Sequence, residues 1–169
     1  YSSAGLSYYF DGTGDYITAA SNPIFNFGSG DFTIEGWHYL TAAASATMYL
    51  FDFRVNTGAS FHPLLLIQSS AYNYYVNGSY VASGGTIVAN TWVHFALVRN
   101  STSTKLYING TSVFTYSDSN TYTQGLLHIG SSWVPDFNWQ GYISDFRITK
   151  GYARYTSNFT APTTSFLLK

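Results

Sequence analysis

Apolar and polar positions alternate with a period of two along most of the chain, the pattern of strands that bury one face. In Phe32–Leu40, the residues Phe32, Ile34, Gly36 and His38 fall on one side, and Thr33, Glu35, Trp37 and Tyr39 on the other. The same alternation predicts strands at 6–10, 16–19, 48–55, 63–68, 72–76, 92–99, 105–108, 112–116, 126–129, 142–148 and 166–168. Turn chemistry separates them. Asn77-Gly78 and Asn109-Gly110 are dipeptides of two-residue hairpins, whose central residues need a positive φ. One helical turn is expected near 151–155. Short strands at roughly ten-residue spacing argue an all-β sandwich or barrel, with 1–169 as a single domain.

Composition narrows the classes of function. Charged residues are 9% of the chain, against about 25% in an average soluble protein. The seven Lys and Arg are scattered singly, so no basic stripe exists to neutralise phosphates and no nucleic acid partner is expected. The absence of Cys excludes a disulfide scaffold, a thiolate metal site and a cysteine nucleophile. No run of 18 apolar residues is present, so no membrane span is expected. The N-terminal YSSAGLSYYF has neither the basic region nor the apolar stretch of a signal peptide. Aromatics make up 20%, and 21 Ser with 19 Thr supply polarity in place of charge. This composition suits an extracellular or virion β-protein better than a cytosolic enzyme.

Several phrases in order along the chain carry a resemblance. They are FDGTGDYI at 10–17, DFTIEGW at 31–37, WVHFALVR at 92–99, KLYING at 105–110, IGS at 129–131, GYISDFRI at 141–148 and GYARYT at 151–156. Together they resemble the concanavalin A-like lectin/glucanase superfamily over 8–166, in particular its laminin-G-like jelly-roll domains. The close at 153–162, ARYT followed by NFTAP, is similar to a subtype found in bacteriophage structural proteins and marine microbial surface proteins. The resemblance implies two curved antiparallel sheets, terminal strands side by side, and frequently a bound calcium. In such a family, metal often sits where an early loop meets a late strand, which here points to Asp11, Asp15 and Asp145. The fold alone fixes no function, since lectins, glycosidases and adhesion modules share it.

Candidate chemistry is sparse. Glu35 is the only Glu, and Asp31 would lie about 13 Å away along the same strand face, too far for a pair of glycosidase carboxylates. No catalytic residue is expected, and Glu35 is assigned a structural partner such as His94 or Arg99. The four His are far apart in sequence and suggest no zinc site. The 11–15 loop offers two carboxylates and two glycines, a partial calcium donor set. A glycan site needs an aromatic platform with amides or carboxylates beside it. Two stretches supply these: the 131–140 segment, with Trp133, Asp136, Asn138 and Trp139, and the 72–75 stretch, with Tyr72 and Tyr74. Trp37 and Trp92 sit in strong strand patterns and are expected in the core. The expected function is a non-catalytic carbohydrate-binding or adhesion module on a phage virion or secreted microbial surface protein. Its partner would be a glycan or cell-surface polysaccharide. The alternative is a structural virion or filament subunit that contacts other subunits, and a glycoside hydrolase ranks below both.

Overall fold

A computed structural model describes residues 7–41, 46–56 and 61–166. Two six-stranded antiparallel sheets form the molecule. Sheet one has the order β1-β12-β3-β8-β9-β10, built from β1 (Ser7–Asp11), β3 (Phe32–Leu40), β8 (Trp92–Asn100), β9 (Ser103–Ile108), β10 (Thr111–Ser117) and β12 (Gln140–Lys150). Sheet two has the order β2-β11-β4-β5-β6-β7, from β2 (Ile17–Ala19), β4 (Met48–Asp52), β5 (Leu64–Gln68), β6 (Ala71–Val76), β7 (Ser79–Gly84) and β11 (Leu127–Ile129). This is the two-sheet jelly roll that the resemblance implies, and one of the two architectures the alternation allows. The expected turns are in place: Asn77 and Gly78 have φ of 52° and 79°, and Asn109 and Gly110 have 48° and 80°. Among the described residues, no helix is long and apolar enough to cross a membrane.

The expected helical turn at 151–155 does not form. That segment is irregular, and Thr33 organises it by donating to the Tyr152 carbonyl while accepting from the Arg154 amide. Among the described residues, the one short helix is instead a 3-10 turn at Pro23–Phe25, capped by Asn22. The first and last described strands lie side by side, as the resemblance implies. The partner of β1 is β12, with Ser7 opposite Ser144 and Asp11 opposite Gln140. Of the expected pairing of 6–10 with 166–168, Phe166 lies over the Arg147 guanidinium, and 6 and 167–168 fall outside the described residues.

The core fills the space between the sheets. Phe32, Ile34, Phe95, Leu97 and Leu106 reach it from sheet one, and Phe51, Leu65, Ile67, Tyr72 and Tyr74 from sheet two. Its tyrosine hydroxyls are partnered across the layers. Tyr72 and His38 Nε2 are 2.7 Å apart, and the Tyr74 and Tyr122 hydroxyls are 2.6 Å apart. Tyr122 in turn donates to Asp118, beside the buried Arg99, which donates to the carbonyls of Gly28 and Asp118. Arg99 therefore belongs to Asp118, not to Glu35.

His38 is fully buried with the Trp139 ring edge against it, and burial pushes its pKa down to about 3. Folded His38 stays neutral while the unfolded chain takes up a proton below about pH 6.5. Stability is therefore lost as pH falls from 6.5 toward 3, by about 1.4 kcal/mol per pH unit for this group. We expect His38→Gln, which keeps a partner for Tyr72, to flatten that acid limb by one proton in denaturant titrations from pH 7 to 4; an unchanged slope would exclude His38 as its source.

Candidate functional site

The site is built on the outer face of sheet one, and a bulge in β12 arranges it. Between Ser144 and Arg147 the register with β3 shifts, so that Asp145 and Phe146 face a single residue, Gly36. Asp145 takes the left-handed conformation, φ 49°, as the extra residue of a bulge can. Gly36 eases this packing, because a Cβ would lie 3.1 Å from the Phe95 ring and 3.3 Å from Phe146 Cα, and these neighbours would have to shift by a few tenths of an ångström. The bulge turns Phe146 into the core, and it puts Arg147 on the outer face opposite Glu35.

Glu35 is fully buried although it points away from the core. Arg147 donates to its Oε1 from Nε at 3.0 Å and from Nη2 at 2.8 Å, and the Tyr155 hydroxyl donates to Oε2 at 2.9 Å. Arg154 Nε lies 3.6 Å from Oε1, and His94 Nε2 lies 3.4 Å from Oε2. Burial alone would raise the Glu35 pKa, but His94, Arg147 and Tyr155 together outweigh it and hold the pKa below the ordinary value. The Tyr155 hydroxyl is pushed up by burial and by the adjacent carboxylate. Around this carboxylate, residues 151–166 lie over the sheet as a strap. Tyr155 and Phe159 stack at 3.6 Å, both rings pack edge-on to His94, and Phe159 meets Tyr107.

The strap leaves one row of this face open. Tyr9 of β1 is opposite Tyr142 of β12, Tyr142 is opposite Tyr39 of β3, and Tyr39 is opposite Trp92 of β8. Four aromatic rings thus stand in register across four adjacent strands, with centroids 5.0, 5.9 and 5.7 Å apart in sequence along the row. Tyr9 is 56% exposed, and the other three rings are half-buried. Exposed polar side chains border the row. Asp11 and Gln140 face each other two positions along, Thr41 follows Tyr39, and Ser7 lies on the opposite side. Ser7, Tyr39, Thr41, Trp92 and Tyr142 line a depression of about 340 Å³.

The residues singled out from the sequence fall elsewhere. Tyr72 and Tyr74 are core side chains with no exposed surface, so they cannot meet a ligand. The outward residues of that strand are their neighbours, a one-position change that reverses the face. Trp139 is also fully buried, against His38. Asp136 and Phe137 are exposed, and Trp133 and Asn138 are half-buried. Asp136 accepts from the Ser132 hydroxyl, the Trp133 amide donates to Asp52, and Phe137 stacks on Tyr49. This loop is thereby fastened to sheet two, and Asn138 with Phe137 and Gln140 lines a second depression of about 260 Å³. Trp92, expected in the core, is part of the open row instead.

The three candidate calcium ligands are not brought together. Asp11 accepts from the Thr13 amide and Asp15 from the Asp11 amide, the bonds of an ordinary turn. Asp145 lies five residues along β12 from Gln140, the partner of Asp11, or roughly 16 Å. Among the described residues, no three His, Cys, Asp or Glu cluster as a metal site would require. These carboxylates do not fit a single site of six to eight oxygens. The aromatic ladder of Tyr9, Tyr142, Tyr39 and Trp92 has no signal in any one segment. It exists only in the strand register, and only the aromatic character of both faces of 32–40 hinted at it.

A laminin G family model, described as the concanavalin A-like lectin/glucanases superfamily, matches residues 11–154, and the chain belongs to that superfamily. Its fold is similar to that of the native heptameric SAP-like pentraxin from Limulus polyphemus, at TM-score 0.63 and 16% identity over 85% of this chain and 75% of that one. It is similar to domains LG4-5 of the mouse laminin alpha1 chain, at TM-score 0.63 and 14% identity, with 85% of this chain and 40% of that one covered. It is also similar to the CBM40 of Ruminococcus gnavus IT-sialidase, a structure bound to alpha2,3 sialyllactose, at TM-score 0.63 and 13% identity over 89% and 94% of the two chains. No curated protein matches the chain in sequence.

Glu35→Ala should cost roughly 3–5 kcal/mol at neutral pH, because it strands Arg147 without its partner. The folded-state pKa of Glu35 is depressed, so its contribution is complete above about pH 4.5 and is lost below it. The gap between wild type and variant should therefore narrow on acidification past that point. Urea unfolding at pH 7 and pH 3.5 would check this, and an equal gap at both would contradict it.

Proposed function

We propose that this domain is a non-catalytic carbohydrate-binding module whose ligand lies on the Tyr9–Tyr142–Tyr39–Trp92 row. The observation that carries the reading is the register: four rings from four strands form one platform on an open face. A sugar ring presents an apolar face of C–H groups and a rim of hydroxyls. The rings suit the first, and Asp11, Gln140, Thr41 and Ser7 suit the second. Strands hold the platform in place before a ligand arrives, so little ordering entropy is lost on binding. Similar folds whose structures carry sugars, the Ruminococcus CBM40 with sialyllactose and domain 4 of a Geobacillus arabinanase with arabinotriose, support the class of function. The absence of catalysis rests on Glu35, whose carboxylate is buried under the strap and occupied by Arg147 and Tyr155. The proposed setting is display on a virion or a secreted surface protein, supported by a composition low in charge and rich in hydroxyls.

Trp92→Ala and Tyr142→Ala should each weaken glycan binding by about 1–3 kcal/mol, the scale of one lost stacked ring. Trp133→Ala in the loop should leave binding intact. A glycan array followed by titration calorimetry on the best ligand checks this. Binding lost with Trp133→Ala but kept with Trp92→Ala would move the site to the loop.

A further inference from the structure

We infer that the ligand class of this site is a single, soluble, uncharged polysaccharide chain, gripped along its interior over about three sugar units. The inference rests on the carbohydrate reading of the ladder and adds three observations to it.

The first is length. Four strands at the usual spacing of about 4.8 Å give a platform roughly 14 Å long, enough for about three linked sugars and more than a single one needs. Among the described residues, no neighbouring strand closes either end: β1 is the sheet edge, and β8 pairs with β9 only from Phe95 onward. A chain can therefore enter and leave, and no pocket selects a terminus.

The second is ring orientation. Successive rings are tilted by 48°, 78° and 58°, so they do not share a plane. A flat crystalline surface can touch such a row at one ring only. A single chain, free to twist about its linkages, can meet each ring in turn.

The third is charge. The nearest charged side chain in the bordering row is a carboxylate, Asp11, with Asp15 hydrogen-bonded to its amide. The described cations are placed away from the row. Arg54 pairs with Asp52 on the other sheet, Arg99 is buried, and Arg147 and Arg154 are held on Glu35. Lys150 donates to the Pro23 carbonyl, and Lys105 faces Val98, six residues or about 20 Å along β8 from Trp92. A polyanion such as a uronate or sialylated chain would meet a negative border with no cation among the described residues to offset it.

The test is affinity electrophoresis of the whole domain in gels containing laminarin, galactomannan, arabinoxylan, xyloglucan or dextran, and in gels containing polygalacturonate or alginate. Sedimentation with microcrystalline cellulose and chitin completes the panel, beside Tyr39→Ala and the edge-strand variant Tyr9→Ala, whose side chain is 56% exposed; thermal melts check that both variants fold. We expect retardation by at least one neutral soluble polysaccharide, reduced tenfold or more in both variants. Oligosaccharides of that polymer should gain more than tenfold in affinity from one unit to about three and little beyond. Retention by the polyanions or the crystalline solids that both variants abolish would overturn the ligand class while leaving the site standing. A plateau already reached at one unit would do the same. Retention that neither variant affects, or none on any polymer, would overturn the site itself and this inference with it.

Discussion

The carboxylate of Glu35 is the constraint on which the arrangement of sheet one depends. It is a charge buried on the face of a sheet that ought to be wet, and such a charge persists only when cations and hydroxyls surround it. Arg147 reaches it because β12 carries an extra residue, and the absence of a side chain at position 36 eases the fit of that residue. Arg154 and Tyr155 reach it from the segment beyond β12, so the same carboxylate that neutralises Arg147 also fastens the strap. Bulge, glycine and strap are parts of one electrostatic solution.

That solution decides what the outer face can offer. The strap takes up the surface over Ala96, Val98 and Tyr107, whose side chains would otherwise face water. What is left is the row nearest the other end of the strands, where Tyr9, Tyr142, Tyr39 and Trp92 align and small polar side chains flank them. An exposed aromatic row is costly to leave in water, and a ligand with an apolar face is the ordinary reason to keep one. Structure and proposed role meet at this point: the buried ion cluster closes most of the face, and the platform is the part it does not close.

The fold was legible because its signals are local. The two Asn-Gly turns, the alternation in 32–40 and the run at 92–99 each specify their element without reference to a distant residue. The site was less legible because its residues meet only through register. Tyr72 and Tyr74 resemble a surface pavement in sequence, yet their hydroxyls find Tyr122 and His38 in the core, and the partnered tyrosine is as much at home inside as outside. Trp92 was misplaced for the converse reason: β8 is apolar on both faces, because one face meets the core and the other meets the strap, so alternation could not say which side was open. The bulge was invisible as well. In sequence Asp145 is an ordinary strand carboxylate and a candidate metal ligand, and only its left-handed backbone reveals it as the residue that re-aims Arg147.

The central claim is that the ligand lies across the strands on the open aromatic row. Two-dimensional NMR of the labelled domain, titrated with a neutral polysaccharide-derived trisaccharide, tests it most directly. The account predicts shifts of the Trp92 indole N–H and of the amides around Tyr9, Tyr39, Thr41 and Tyr142, with the amides of β5 and β6 unmoved. Shifts confined to 131–138, or to the outer face of sheet two, would contradict it.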